Sequence, residues 1–394
     1  MDFDLTGENS DYMFYSLLYC SVTIVFATAV LTKFLTNEIR FGFRSFLSLV
    51  TLFLGEPLCQ FLVKGPHGVG TFALACMLVY WILPASRLPA KDKVVLITGC
   101  DSGFGFAIAQ KLDSIGMKVL AGCLDQCGKG ATQLKSSCSE RLVVLKLDVT
   151  NHRDIENAKS YAQELLGEDG LWGLVNNAGI SYFAETEMTS EEIFQKTINV
   201  NLFGTIRLTK AFLPLIRKSK GRIINMASFV ARIPINGTSA YSVSKSAIVA
   251  FSDILRLEMK KWDVHVSIIE PLGFQTNNFN EQVLESRLQE IWDSLDEECQ
   301  LVYGKRYLED LYKSYKELLP KIPTDLSPVV QAVSGALLSK NPRERYPCSQ
   351  GADILTSIYS ILPIRLADKI SKLVSVIPKN SRPVALEPSS HLVP

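Results

Sequence analysis

The sequence contains no C-x-x-C pair, and its four histidines, His67, His152, His265 and His391, are scattered along 394 residues. That excludes a dithiol redox centre and a zinc site of thiolate and imidazole ligands, so no metal is expected. The nine cysteines form no spaced framework, and Cys20, Cys59 and Cys76 lie inside apolar runs. Reduced thiols are expected, and with them a cytosol-facing domain. An excess of charge of either sign is also missing: Lys+Arg 41 stand against Asp+Glu 40, a net charge of +1. With no basic stripe carrying interleaved aromatics, nucleic acid is excluded as a partner. Charged residues make up 21% of the chain against 47% hydrophobic, which is apolar for a soluble protein. The shortage of charge is concentrated in the first ninety residues.

Tyr12 to Thr32 contains no charged residue. A helix rising ~1.5 Å per residue over that run covers a hydrocarbon core of ~30 Å. The flank before it is acidic (Asp2, Asp4, Glu8, Asp11), where a signal peptide would be basic and a mitochondrial transit peptide Arg-rich. Ser45 to Val63 is a second apolar run, interrupted by Glu56-Pro57, and Gly65 to Ser86 is a third. Lys33, Arg40 and Arg44 follow the first run; Arg87, Lys91 and Lys93 follow the third. Three spans put both basic groups in the cytosol with the catalytic domain; a two-span alternative makes Ser45 to Val63 re-entrant. Asn236-Gly-Thr238 is a glycosylation sequon just before Tyr241. A glycan there would obstruct the site described next, which also favours the cytosolic side. The expected organisation is a membrane anchor over 1–90, a catalytic domain over 91–350, and an amphipathic then disordered tail over 351–394.

From Lys93 the pattern alternates strand and helix. Val94 to Ile97 is a continuous apolar run, as in a buried parallel strand. It enters Thr98-Gly99-Cys-Asp-Ser102-Gly103-Phe104-Gly105, then a helix over about Phe104 to Ile115 and a strand over Lys118 to Cys123. In that βαβ setting the glycines let the backbone approach a pyrophosphate at the helix N-terminus. The second strand leads to Asp125, an acid placed to bond ribose hydroxyls and to repel a 2′-phosphate. No Arg or Lys lies between Gly122 and Gln126, so NAD is favoured over NADP. Leu142 to Leu147 and Leu171 to Val175 read as further strands. The former ends at Asp148-Val149, where Asp148 can accept from the adenine amino group. The latter closes on Asn176-Asn177-Ala178-Gly179.

Strand Arg222 to Met226 delivers Ser228, and a helix starting near Ala240 delivers Tyr241 and Lys245. Four residues apart on a helix, these two share a face. An ammonium there would lower the phenol pKa from ~10, poising Tyr241 to exchange a proton with an alcohol oxygen, while Ser228 holds that oxygen. Val264 to Ile269 is a sixth strand, and Asn201 lies in a helix over about Glu191 to Leu213. TGxxxGxG at 98–105, NNAG at 176–179, Asn201, Ser228 and YxxxK at 241–245, in this order, resemble the short-chain dehydrogenase/reductase superfamily over about residues 90 to 345. The chain looks most like its membrane-associated members: the type 2 17β- and 11β-hydroxysteroid dehydrogenases, retinol dehydrogenases and 3-hydroxybutyrate dehydrogenase. The resemblance implies an α/β fold with a Rossmann-like doubly wound parallel sheet, here preceded by transmembrane helices, and a homodimer. It also implies that Asn201 holds a water linking Lys245 to solvent, and that Pro271 and Thr276 touch the cofactor. Leu272 stands where the family has Gly, which puts the geometry of that loop in question.

The expected catalytic set is Asn201, Ser228, Tyr241 and Lys245. The expected cofactor set is Thr98, Gly99, Ser102, Gly103, Phe104, Gly105, Asp125, Asp148, Val149, Asn177, Ala178, Gly179, Tyr241, Lys245, Pro271 and Thr276. Phe279 to Leu319 reads as helical, its aromatics serving as core or as pocket wall. Ile354 to Pro378 reads as an interfacial amphipathic stretch. The expected activity is NAD-dependent oxidation of a lipophilic secondary alcohol, a hydroxysteroid, on the endoplasmic reticulum membrane. Retinol or 3-hydroxybutyrate as substrate, a weakly catalytic NAD-binding scaffold, and a mitochondrial membrane are the alternatives.

Overall fold

The computed structural model describes residues 5–36, 43–63, 65–83, 87–276, 280–349, 352–374 and 382–386. Asp2, Asp4, Arg40, Phe279 and most of the tail expected to be disordered lie outside the described residues. The chain divides into two compact units, one formed by Met1–Pro89 with Leu338–Asn341 and one by Ala90–Leu337 with Pro342–Pro394.

The first unit holds three helices: α1 (Leu5–Thr36), α2 (Phe43–Leu62) and α3 (Pro66–Ile82). Glu56-Pro57 does not break the second: α2 runs through with Pro57 inside it, and Glu56 accepts from Thr23 Oγ1 of α1 at 3.0 Å. Pairing of this kind is how a carboxylate persists in an apolar bundle. Tyr19, Phe26, Phe72 and Val79 form the buried seam, while Phe53, Phe61, Met77 and Trp81 face outward. Of the three expected spans, Met13–Phe34 alone among the described residues is long and apolar enough to cross a membrane; Phe46–Leu62 and Pro66–Ile82 are apolar but shorter. Lys33, near the end of α1, donates to the carbonyls of Tyr80 (2.7 Å) and Leu83 (3.1 Å) at the end of α3, so these two helix ends are neighbours.

The second unit starts β1 (Val94–Thr98), α4 (Gly103–Ser114), β2 (Lys118–Cys123), α5 (Lys129–Ser137), β3 (Leu142–Lys146), α6 (His152–Leu166), β4 (Gly173–Asn176) and α7 (Glu191–Ile198). It continues with α8 (Thr205–Ser219), β5 (Arg222–Met226), α9 (Ser239–Met259) and β6 (His265–Glu270). Helices α10 (Glu281–Asp293), α11 (Glu297–Tyr303), α12 (Lys305–Leu318) and α13 (Ser327–Leu338) precede β7 (Arg345–Pro347), and α14 (Ala352–Ile361) and α15 (Ile364–Val374) follow it. The strands form one parallel sheet in the order β3-β2-β1-β4-β5-β6-β7. Every residue of β1, β4 and β5 is buried, because helices cover both faces of such a sheet. The order reverses between β1 and β4, and at that switch point the carboxyl ends of the strands open a crevice.

Three features depart from the expected pattern. The helix expected over Glu191 to Leu213 is split by a π-helical turn, Asn199–Gly204. The wider turn lets Asn201 Oδ1 accept from Ile180 N (2.8 Å) and its Nδ2 donate to Ser244 Oγ (2.9 Å); such turns recur at functional sites. Strand β7 was not expected, because Arg345-Tyr-Pro347 is short and polar. It pairs with the end of β6, Ile268 facing Arg345 and Glu270 facing Pro347. Within the tail, Val384–Leu386 forms a short 3-10 turn, with Val384 packed where a side chain on Gly304 would sit. The C-terminal aromatics are mainly core. Tyr303, Tyr307, Tyr312 and Tyr315 pack with Phe183 and Met188, and the hydroxyls of Tyr303 and Tyr307 donate to Glu187 and Glu185.

Candidate active site

A cavity of about 1240 Å³ opens at the switch point. Gly99, Ser102, Gly103, Phe104 and Asp125 line it beside Asp148, Val149, Asn177, Ala178 and Gly179. Ser228, Tyr241, Lys245, Pro271 and Thr276 line its middle. Three expected residues do not line it: Thr98, Gly105 and Asn201. Their places explain this. Thr98 Oγ1 accepts from the backbone N–H groups of Asn177 (3.0 Å) and Ala178 (2.9 Å), so it ties two strand ends together beneath the crevice. A Cβ on Gly105 would fall 2.1 Å from the Gly99 carbonyl oxygen, so this glycine serves helix-to-loop packing. Asn201 is 1% exposed and bonded on both sides of its amide.

The phosphate end has the right donors. Gly99 and Gly103 have φ of 69° and 58°, values glycine adopts without penalty. Ser102 caps α4 without a side-chain bond, so the first backbone N–H groups of this helix have no side-chain acceptor from their cap. Asp125 follows β2 with Oδ1 accepting from Cys127 N at 2.9 Å. One contributor was missed in the sequence. Asp101, inside the glycine loop, takes the N–H of Leu124 (2.9 Å) and of Asp125 (3.0 Å) on its two oxygens. The available signal was that an acid in a phosphate loop cannot serve the phosphate. Two carboxylates, Asp101 and Asp125, thus line this end. The donors and acids fit a dinucleotide.

At the centre, Lys245 is 5% exposed and its Nζ donates to the Met226 carbonyl at 2.7 Å. Burial pushes its ammonium down to about 8. The expected lowering of Tyr241 is not what these groups produce. Burial pushes the phenol up to about 12, with the Ser228 hydroxyl pulling the other way. The lysine is turned onto a carbonyl, 5.6 Å from the phenol ring centroid. Ser228 caps the 3-10 turn Phe229–Ala231. Leu272, the departure from the family pattern, does not take the left-handed conformation that needs glycine. It packs with Phe229, Val230 and Ile233 beside Tyr241 and lines the cavity.

Beyond Tyr241 the wall carries Phe183, Phe229, Ile235, Phe274, Tyr315 and Leu318, with the charged Lys196, Glu317 and Lys321 among them. Arg287, also on the wall, has its guanidinium 5.5 Å from the Tyr182 ring.

The family model "short chain dehydrogenase" matches residues 93–286. Estradiol 17-beta-dehydrogenase 2 of Mus musculus is 38% identical over 304 residues, covering 76% of this chain and 80% of that protein. Retinol dehydrogenase 7 of Mus musculus is 42% identical over 288 residues, 73% of this chain and 90% of that protein. The mitochondrial D-beta-hydroxybutyrate dehydrogenase of Rattus norvegicus is 40% identical over 288 residues, 71% and 84%. With relatives this similar over so much of its length, the chain belongs to the short-chain dehydrogenase family and is an alcohol oxidoreductase.

Proposed function

We propose that the protein is a membrane-anchored, NAD-dependent dehydrogenase that oxidises a lipophilic secondary alcohol, a hydroxysteroid, to its ketone. The observation that carries this is the joining of Ser228, Tyr241 and Lys245 to the apolar side chains of that wall in one cavity. Tyr241 Oη takes the proton of the substrate hydroxyl. Ser228 Oγ holds the same oxygen as it gains carbonyl character. The phenolate must form in a buried place, where the Ser228 hydroxyl favours it and the charge of Lys245, 5.6 Å from the ring centroid, adds at longer range. The nicotinamide, when bound, supplies the hydride acceptor. The α4 N-terminus, Gly99 and Gly103 would hold its pyrophosphate, and Asp125 its adenine ribose. Asp101 and Asp125 together oppose a 2′-phosphate, which supports NAD.

The relatives do not choose the substrate, since a steroid, a retinol and a hydroxybutyrate dehydrogenase are about equally similar. The apolar side chains of the wall support a bulky apolar alcohol over a short hydroxy acid. Outward-facing apolar side chains on α1, α2 and α3 support an anchor in lipid. The Lys33 bonds to the end of α3 support a three-helix arrangement with both basic flanks on one side, which is cytosolic by their charge. The endoplasmic reticulum membrane fits that orientation. NADH formation by the full chain in detergent, with estradiol, retinol and 3-hydroxybutyrate compared, tests the reading. The fastest turnover is expected with the steroid; turnover confined to 3-hydroxybutyrate would overturn it.

A further inference from the structure

Strand β7 lies outside the residues to which any chemistry has been given, yet it brings a guanidinium to the back of the reaction centre. Arg345 NH1 donates to Glu270 Oε1 at 2.9 Å and NH2 to Asp253 Oδ2 at 2.5 Å. Arg232 Nε lies 3.3 Å from the same Glu270 oxygen, and Arg256 lies 3.9 Å from Asp253 Oδ1. Glu270 is 2% exposed, and its Oε2 is buried without a hydrogen-bond partner.

Each member sits on an element that carries a reacting or cofactor-facing group. Glu270 immediately precedes Pro271, whose carbonyl accepts from Phe229 N (3.1 Å) and faces Ser228 Oγ (3.5 Å). Arg232 ends the turn that Ser228 starts. Asp253 lies on α9, the helix of Tyr241 and Lys245. A single fork from β7 therefore joins the serine turn, the loop after β6 and the Tyr–Lys helix.

We propose that Arg345 is a positioning residue, setting Ser228 and the Pro271 loop against Tyr241 by bridging Glu270 and Asp253. The proposal rests on the reading that Ser228 and Tyr241 act on the substrate oxygen. The physical basis is the fork. A guanidinium reaches two carboxylates at fixed geometry, whereas an ammonium is a point charge that serves one. Burying a carboxylate as deeply as Glu270 is costly unless it is paired, so the Arg345 guanidinium is held against Glu270 on a strand already joined to β6 by its backbone. Misplacement of reacting groups by ~1 Å can cost about 10²-fold in rate.

The test is Arg345→Lys in the full chain, which keeps the charge and removes the fork. Three quantities are read: kcat with NAD and the best alcohol of the panel, KM for NAD, and amide hydrogen exchange by mass spectrometry. The expected result is a fall in kcat of about tenfold or more and a KM for NAD within about threefold of the unsubstituted value. Exchange should speed up in the peptides spanning 227–233 and 270–273, with the β1 to β4 half unchanged. Normal kcat with normal exchange, a rise in KM alone, or faster exchange everywhere would each overturn the proposal. Asp253→Asn, at a side chain 36% exposed, guards against a failure of Arg345→Lys to fold. It leaves Arg345 to neutralise Glu270 while weakening the other arm of the fork, and should give the same pattern at smaller size; exchange and kcat both unchanged would overturn the proposal. The exchange measurement needs no turnover. An inactive unsubstituted protein would therefore sink the functional reading while still deciding whether the fork holds these loops.

Discussion

Lys245→Met should make the protein more stable at neutral pH and nearly inactive. The ammonium is buried, with one carbonyl partner. Its pKa falls from 10.5 to about 8. At ~1.4 kcal/mol per pH unit, this depression corresponds to about 3 kcal/mol of folding stability that is missing while the lysine must stay charged. The sign follows from proton binding. Between pH 8 and 10.5 the unfolded chain holds the proton and the fold does not, so stability from this group rises with pH across that window. Below the folded value both states hold the proton, and the full penalty applies. Methionine has a similar reach and no charge; its cost is the Met226 carbonyl left without its donor, ~1 kcal/mol. The net gain at pH 7 is then about 2 kcal/mol, which for a domain of this size is roughly 4–8 °C in Tm. Above about pH 10 the gain should vanish or reverse. Thermal unfolding of both proteins in detergent at pH 7 and pH 10 measures this. A variant less stable at pH 7, or a difference that ignores pH, would refute the argument that burial of the charge dominates.

Other outcomes follow from the same geometry. Asp125→Ala should narrow the preference for NAD over NADP, read as the ratio of kcat/KM values; equal use of both by the unsubstituted enzyme would count against the carboxylate argument. Ser228→Ala should move the ascending limb of the kcat/KM profile for alcohol oxidation, where activity appears as Tyr241 loses its proton, to higher pH, because the hydroxyl that pulls the Tyr241 phenol down is lost. A limb moved to lower pH would contradict the assignment. Translated with microsomes, the chain should stay unglycosylated at Asn236, an exposed residue, and its catalytic unit should be digested by added protease. A glycan there would place the unit in the lumen.

Much of the fold was legible because its signals are local. The apolar run Val94 to Ile97 and the glycines after it specify a buried strand and a tight turn without reference to distant residues. Tyr241 and Lys245 share a helical face by spacing alone. What escaped depends on distant contacts. Arg345-Tyr-Pro347 has no strand signature; pairing with β6 makes it one. The π turn around Asn201 is set by bonds to Ile180 and Ser244, which no periodicity encodes. Thr98 and Gly105 were expected against the cofactor because they sit in its motif. The structure shows them one layer behind, holding the loop that does the lining. The Tyr241 shift runs against the expectation for a related reason: helical spacing places Lys245 on the same face but encodes neither the burial of the phenol, which pushes it up, nor the lysine's turn toward Met226.

The most direct test of the account is the turnover of Tyr241→Phe. The substitution keeps the ring and removes the oxygen that takes the proton. With NAD and the alcohol that the unsubstituted enzyme oxidises fastest, kcat should fall by about 10² or more, while NADH binding, followed by its fluorescence, stays within a few-fold. Turnover close to that of the unsubstituted enzyme would contradict the central claim that Tyr241 is the acid/base of this site.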